Sequence, residues 1–325
     1  MRNKFKLLVA MAAVAALALT GCAASGGGEA EDKPFKVIAF TSGNQTPVGA
    51  WWVKAVTAKA EELGWELTMI QGDFDFQKMN PAVESAIAQG ADAIFDGYTD
   101  YASISSITAA AADAGIPIFA MDSGVEPTDA FAINVTTDQQ GIVDSTVEAL
   151  STQLGGLKGK NIMVIGHDPH AGIRERSGLA FDAFKAAGAN LAGGEIQQVQ
   201  SPATGRTEAL ALVADYLAAN PNGLDAVWVG WDDAALGASK AITEAGSSAK
   251  VTGVDATSEA IAEIQAEGAF LATIEQPWPS ILETVIGYML EFQKTGSLPS
   301  SNFETVGTTL VDKVNAAKIT PSDKL

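Results

Sequence analysis

Short apolar runs alternate with longer alanine-rich stretches from Phe35 almost to the end of the chain. The runs are rich in β-branched residues and bounded by Gly, Asp or Pro, which predicts strands, whereas the longer stretches have helical character. Lys36-Val37-Ile38-Ala39-Phe40 reads as a first strand. Pro47 opens a helix that runs to Leu63, where Gly64 stops it. Strands are predicted over 66–70, 93–95 and 116–121, separated by helices over 81–89 and 102–114. The second half repeats the rhythm, with strands over 161–165, 195–199, 226–229, 251–254 and 270–274. Its helices are predicted over 174–187, 206–219, 234–245 and 258–265.

Strands that alternate with helices form parallel sheets covered on both faces. The strands here are almost continuously apolar, as that burial requires. Ligands of open parallel sheets bind beyond the carboxyl ends of the strands. The residues that follow each strand are therefore the first candidates for chemistry.

The N-terminal residues break the rhythm. Arg2, Lys4 and Lys6 precede the apolar run Leu7 to Leu19, which is too short to span a bilayer and has the layout of a secretory signal. The run ends in Leu19-Thr20-Gly21-Cys22. This tetrapeptide resembles the bacterial lipobox, whose cysteine becomes the lipidated first residue after cleavage. Residues 1–21 are expected to be a lipoprotein signal peptide and 22–34, with three consecutive glycines, a flexible tether. The mature chain is expected to be exported, either periplasmic or held by lipidated Cys22 at the outer face of the cell membrane. Cys22 is the one cysteine, so no internal disulfide framework is possible.

An apolar content of 47% and a charged content of 18% describe a folded protein, and the length suits two domains. Loss of Arg2, Lys4 and Lys6 takes the net charge from −19 to −22. Such an acidic body repels phosphate backbones and anionic lipid, which excludes nucleic acid as a partner.

Several strand ends carry polar or aromatic side chains. Met121 leads to Asp122-Ser123, Val254 to Asp255-Ala256-Thr257, and Phe95 to Asp96-Gly97-Tyr98. Val229-Gly230 leads to Trp231-Asp232-Asp233, and Ile274 to Glu275-Gln276-Pro277-Trp278. Arg174-Glu175-Arg176 follows Gly166 at a helix start. Carboxylates and amides take the protons of hydroxyls, a guanidinium donates to their oxygens, and indoles pack on C–H faces. This chemistry suits a polyhydroxylated ligand. Asp232, Asp233 and Asp96, taken singly, read as helix N-caps. His167 and His170 stand either side of Asp168-Pro169, where the proline breaks helical presentation; they read as an incidental polar loop, not a metal site, with a cleft-lining role for one of them as the alternative. No phosphate loop, dinucleotide fingerprint or nucleophile elbow occurs in the sequence.

Ile118-Phe119-Ala120-Met121-Asp122, Arg174-Glu175-Arg176, the run from Trp231-Asp232-Asp233 to Ala238, Gly253-Val254-Asp255 and Ala272-Thr273-Ile274-Glu275-Gln276 follow one another in this order. Together they resemble the type I solute-binding proteins, in the ribose-binding branch that serves sugar ABC transporters. The resemblance spans Phe35 to about Val311. It implies an α/β fold of two similar Rossmann-like domains with parallel sheets joined by a three-crossover hinge. The domains would be 35–136 plus 277–301 and 137–276 plus 302–325. It implies that Asp122, Arg176, Asp255 and Gln276 bind ligand hydroxyls, with Arg174 in place of Arg176 if the register slips.

The departures are specific. Ser123 stands where ribose binders carry arginine, and Trp231 where they carry asparagine. The two aromatic positions near the first helix start hold Val48 and Gly49, and a third, before Arg206, holds Thr204. The aromatic walls are expected to be rebuilt from Trp231 and one of Trp51 and Trp52, with Trp51 the candidate. A pentose other than ribose, a hexose or a sugar alcohol fits such a site.

The expected function is the substrate-binding component of an ABC transporter. The chain would be a monomer that closes on a small sugar or polyol and hands it to a membrane permease, with no cofactor, metal or catalysis. An autoinducer-type signal receptor on the same fold and a secreted carbohydrate hydrolase are the rivals; only the hydrolase predicts turnover.

Overall fold

The computed structural model describes residues 33–324. The expected signal peptide, Cys22 and most of the tether lie outside the described residues. No helix among the described residues is long and apolar enough to cross a membrane.

The chain runs β1 (Lys36–Thr41), α1 (Pro47–Leu63), β2 (Glu66–Gln71), α2 (Phe76–Gln89), β3 (Ala93–Gly97), α3 (Ser105–Ala114), β4 (Ile118–Met121) and β5 (Ile133–Thr137). It continues through α4 (Gln139–Leu154), β6 (Asn161–Gly166), α5 (Ala171–Ala186), the short β7 (Asn190–Leu191) and β8 (Gln197–Gln198), and α6 (Gly205–Ala219). Then come β9 (Ala226–Val229), α7 (Asp232–Glu244), β10 (Lys250–Thr252), α8 (Ser258–Gln265) and β11 (Phe270–Glu275). The last elements are α9 (Trp278–Thr295), β12 (Phe303–Val306), β13 (Thr309–Val311) and a 3-10 turn at Ser322–Lys324.

Six parallel strands form one sheet in the order β12-β5-β4-β3-β1-β2. The second sheet follows β13-β11-β10-β9-β6-β7, with β8 also on β6 and only β13 antiparallel. These are two α/β domains. The chain passes between the sheets after Thr137, after Glu275 and between Val306 and Thr309. The last passage falls later than the boundary expected at Ser301, because Phe303–Val306 pairs with Asn134–Thr137 at the edge of the first sheet.

The local signals explain most element ends. Thr46 caps α1 by accepting from the Gly49 amide at 3.1 Å, Pro47 occupies the first turn, and Gly64 ends the helix at φ 68°. Helix α2 starts ahead of Pro81, at Phe76, because the Asp75 carboxylate accepts from the Lys78 amide and caps an earlier turn. The pattern alone did not reveal β5, α4, α9, β12 or β13.

Both sheets are packed on both faces. Helix α9 covers the first sheet with Ile281, Val285, Ile286 and Met289 against Phe119, Met121, Ile133 and Val135. Trp52 is fully buried, edge-on to Phe95 at 5.1 Å. Gly97 makes room for it, since a Cβ there would lie 2.5 Å from the indole. Burying such a side chain contributes about 2–3 kcal/mol.

Candidate functional site

The backbone at the strand ends is unusual. Left-handed conformations occur at Asp73 (φ 52°) and Phe74 (φ 60°) after β2, Tyr98 (φ 59°) after β3, Asp122 (φ 54°) after β4, and Asp255 (φ 126°) and Ala256 (φ 54°) after β10. Each such residue costs about 1–3 kcal/mol and persists only where its surroundings over-determine it.

Those surroundings are hydrogen bonds. Asp122 accepts from Thr136 Oγ1 at 2.5 Å, and its amide donates to the Val135 carbonyl. Asp232 is wholly buried and accepts from the Thr257 amide (2.8 Å), Thr257 Oγ1 (3.2 Å) and Thr273 Oγ1 (2.6 Å), while Thr273 Oγ1 accepts from the Ala256 amide. Asp232 thus fastens the Asp255–Thr257 turn. It is no N-cap: Trp231 holds that position in α7, and Asp232 and Asp233 sit in the first turn. Asp96 is no cap either. It accepts from Thr99 Oγ1 at 2.6 Å, and its Oδ1 has no partner.

The strand ends enclose a cavity of about 160 Å³. A water molecule needs roughly 10–15 Å³ of such space, so the cavity takes a molecule of about a dozen non-hydrogen atoms. Five of the six residues expected to contact ligand line it: Asp122, Arg176, Trp231, Asp255 and Gln276. The sixth, Trp51, does not. It is packed in the core and turns toward Pro279, Leu282 and Glu283 at the start of α9. It lies three residues, nearly one turn, along α1 from the cleft-lining Val48, and that step carries it out of the cleft to the α9 side.

The aromatic walls come instead from Tyr98, Trp278 and Phe74, together with Trp231. Tyr98 and Trp278 meet edge-to-face at 5.3 Å. Tyr98 follows β3 directly and Trp278 stands three residues after the end of β11, so the strand-end rule did point at them. Thr204 is exposed and outside the cavity lining, and Arg174 leaves the lining to bind Asp100 Oδ2 at 2.8 Å. His170 lines the cavity with Nε2 3.9 Å from Asp122 Oδ2, while Nδ1 of His167 contacts the Val199 carbonyl at 2.9 Å. No cluster able to hold a metal ion occurs among the described residues.

A relay of side chains missed from sequence fixes the polar residues. Arg176 donates through Nε to the Gly230 carbonyl (2.8 Å) and through Nη1 to Gln139 Oε1 (3.1 Å). Gln139 donates to Thr137 Oγ1, Thr137 donates to Gln276 Oε1 at 2.9 Å, and Gln276 donates to Asp255 Oδ1 at 2.7 Å. Thr137 and Gln276 stand on two of the three passages between the sheets.

Burial dominates the electrostatics. It raises the Asp122 carboxyl despite the Thr136 hydrogen bond and nearby Arg176, and raises Asp255 well above its ordinary range with help from the Asp232 carboxylate. It lowers Arg176, against the pull of Asp255 and Asp122. Burial and then Arg176 push His170 down to about 3, so this imidazole is neutral. Tyr98 is raised well above the ordinary range and stays a donor. Among the described residues, the Tyr98 hydroxyl and the indole nitrogens of Trp231 and Trp278 are buried without a partner. A buried polar group left this way costs about 1–3 kcal/mol. Two carboxylates and a guanidinium lining one cavity suit a ligand that both donates and accepts hydrogen bonds.

Comparison with known proteins agrees with this geometry. Residues 37–291 match the periplasmic binding protein domain. A D-apiose import binding protein of Paraburkholderia graminis is 28% identical over 94% of this chain and 96% of its own. A ribose import binding protein of Bacillus subtilis is 26% identical over 69% and 70% respectively. Among solved structures, an ABC transporter solute-binding protein from Agrobacterium vitis with bound allitol superposes with a TM-score of 0.79 at 23% identity, covering 88% of this chain and 98% of that one. The match over most of its length makes this chain a member of the periplasmic binding protein domain family.

Proposed function

We propose that this chain is the substrate-binding component of an ABC importer, taking a small sugar or sugar alcohol between its domains. The observation that carries the reading is the cavity itself: the aromatic residues Tyr98, Trp231 and Trp278 line the same small space as Asp122, Asp255 and Arg176. A molecule bearing hydroxyls along its length satisfies the carboxylates and the guanidinium at once, and its C–H faces pack on the aromatic rings. Apiose- and ribose-named relatives, and allitol in a structural neighbour, belong to the same chemical class.

In this reading residues 35–137 with 277–306 form one lobe and 138–276 with 307–325 the other. Tyr98, Asp122 and Trp278 act from the first and Arg176, Trp231 and Asp255 from the second. Ligand bridging the lobes favours the closed form. The Arg174–Asp100 ion pair is a closing contact at the rim. Lipidation of Cys22 would hold a monomeric receptor beside its permease. No bond in the ligand is broken.

The soluble form, starting after Cys22, is tested by thermal shift and calorimetry against pentoses, hexoses and polyols. A ligand at about 100 times its Kd adds about 2.7 kcal/mol of stability and is recovered unchanged. Failure of the whole panel to stabilise, or chemical conversion of a hit, defeats the proposal.

A further inference from the structure

Five carboxylates and two guanidiniums line the cavity. On the rim, Arg206 is spent on Asp233 (2.6 Å) and Glu259 (2.8 Å), and Asp323 accepts from the Ser258 amide and hydroxyl at the start of α8. Deeper in, Asp122 and Asp255 face a single cation, Arg176. That guanidinium is directed to the Gly230 carbonyl and Gln139, and no ion pair joins it to either carboxylate among the described residues. His170 beside Asp122 is neutral. Ser123 adds a hydroxyl turned to the Met121 carbonyl, and no charge. The inner cavity therefore sets two acids against one cation, in a protein whose overall charge already draws cations.

We infer that the ligand of this site is a hydroxyl-rich molecule carrying a protonated amine, with the Asp122 and Asp255 carboxylates as its counter-charge. This inference rests on the solute-binding reading above and narrows its substrate class. An ammonium supplies three donors to acceptor-only carboxylates. Tyr98, Trp231 and Trp278 offer ring faces that attract a desolvated cation. Arg176 keeps N–H donors beyond those given to the Gly230 carbonyl and Gln139, and these need acceptors, which an ammonium lacks, so the rest of the ligand must carry hydroxyls. Both features point to one amino-substituted polyol or sugar. Burial pushes both carboxyls upward, as expected of acids awaiting a positive partner.

The test compares matched pairs by calorimetry at pH 7: sorbitol with 1-amino-1-deoxysorbitol, glucose with glucosamine, and myo-inositol with an amino-deoxy-inositol. At least one amino compound is expected to bind ten times or more tighter than its neutral twin. In Asp122→Asn or Asp255→Asn that preference should shrink to threefold or less. Asparagine tolerates the left-handed backbone at both positions and still accepts from Thr136 or Gln276. If neutral members bind and no amino twin binds tighter, the inference is overturned while the solute-binding reading stands. A preference that survives both substitutions overturns it too. If neither class binds, both readings fall together.

Discussion

Asp96 provides a direct measure of how strongly the first sheet's edge disfavours charge. It is wholly buried, holds one hydrogen bond from Thr99 Oγ1 and leaves its other oxygen bare. Burial pushes its carboxyl from 3.8 to about 7, against the hydrogen bond from Thr99. The folded protein therefore binds this proton more tightly than the unfolded chain. Stability falls as pH rises from about 4 to about 7 and is level above that. Linkage over pH 5 to 8 gives this one group a penalty that grows by roughly 2–3 kcal/mol. Asp96→Asn keeps the shape and the acceptor for Thr99 but cannot ionise. Urea unfolding of both proteins at pH 5 and pH 8 should show the variant gaining about 2–3 kcal/mol on the parent between the two conditions. The difference cancels every other titrating group. A gain below about 0.5 kcal/mol would mean that the site is wet or rearranges, and the argument from burial would fail.

Four further outcomes follow from the geometry. Tyr98→Phe should weaken binding of a neutral polyol about fivefold while leaving the unliganded protein as stable or slightly more so, because it removes a hydroxyl with no partner; calorimetry and unfolding together check it. Trp51→Leu should cost about 2–3 kcal/mol in urea unfolding and leave ligand affinity unchanged, the reverse of a binding residue. Arg174→Ala should speed ligand release two- to fivefold in stopped-flow fluorescence through loss of the Asp100 pair, with little effect on stability. Asp323→Ala should lower stability by about 1 kcal/mol by freeing the Ser258 amide and hydroxyl, seen as an earlier thermal midpoint.

Sequence carried the architecture well because parallel strands buried on both faces are spelled as apolar runs. It carried less where that spelling changes. Strand β5, Ile-Asn-Val-Thr-Thr, buries Asn134, Thr136 and Thr137, which read as polar loop because side-chain partners such as Ser123, Asp122 and Gln276 lie 11 to 139 positions away. Helix α9 begins Trp-Pro after another proline, a first-turn signature that resembled a turn in the sequence. In the site, the strand-end rule brought up the charged and amide residues, and the family resemblance selected Asp122, Arg176, Asp255 and Gln276 among them. Family analogy drew the aromatic wall toward α1, where Trp51 and Trp52 serve the core, although Tyr98 and Trp278 satisfied the strand-end rule. The relay through Gln139 and Thr137 was illegible because it joins residues more than a hundred positions apart, such as Thr137 and Gln276.

The placement of β12 bears on how the polypeptide is made. The first sheet stops at β5 in order of synthesis, yet its rim strand and the helix that roofs it lie beyond residue 277. A nascent chain must wait roughly 170 residues, or roughly 10–30 s at about 5–20 residues per second, before that half can finish. Throughout this interval an unpaired strand edge and an uncovered apolar face are available to chaperones or to export machinery. Loss of even the final quarter of the gene would leave neither half complete.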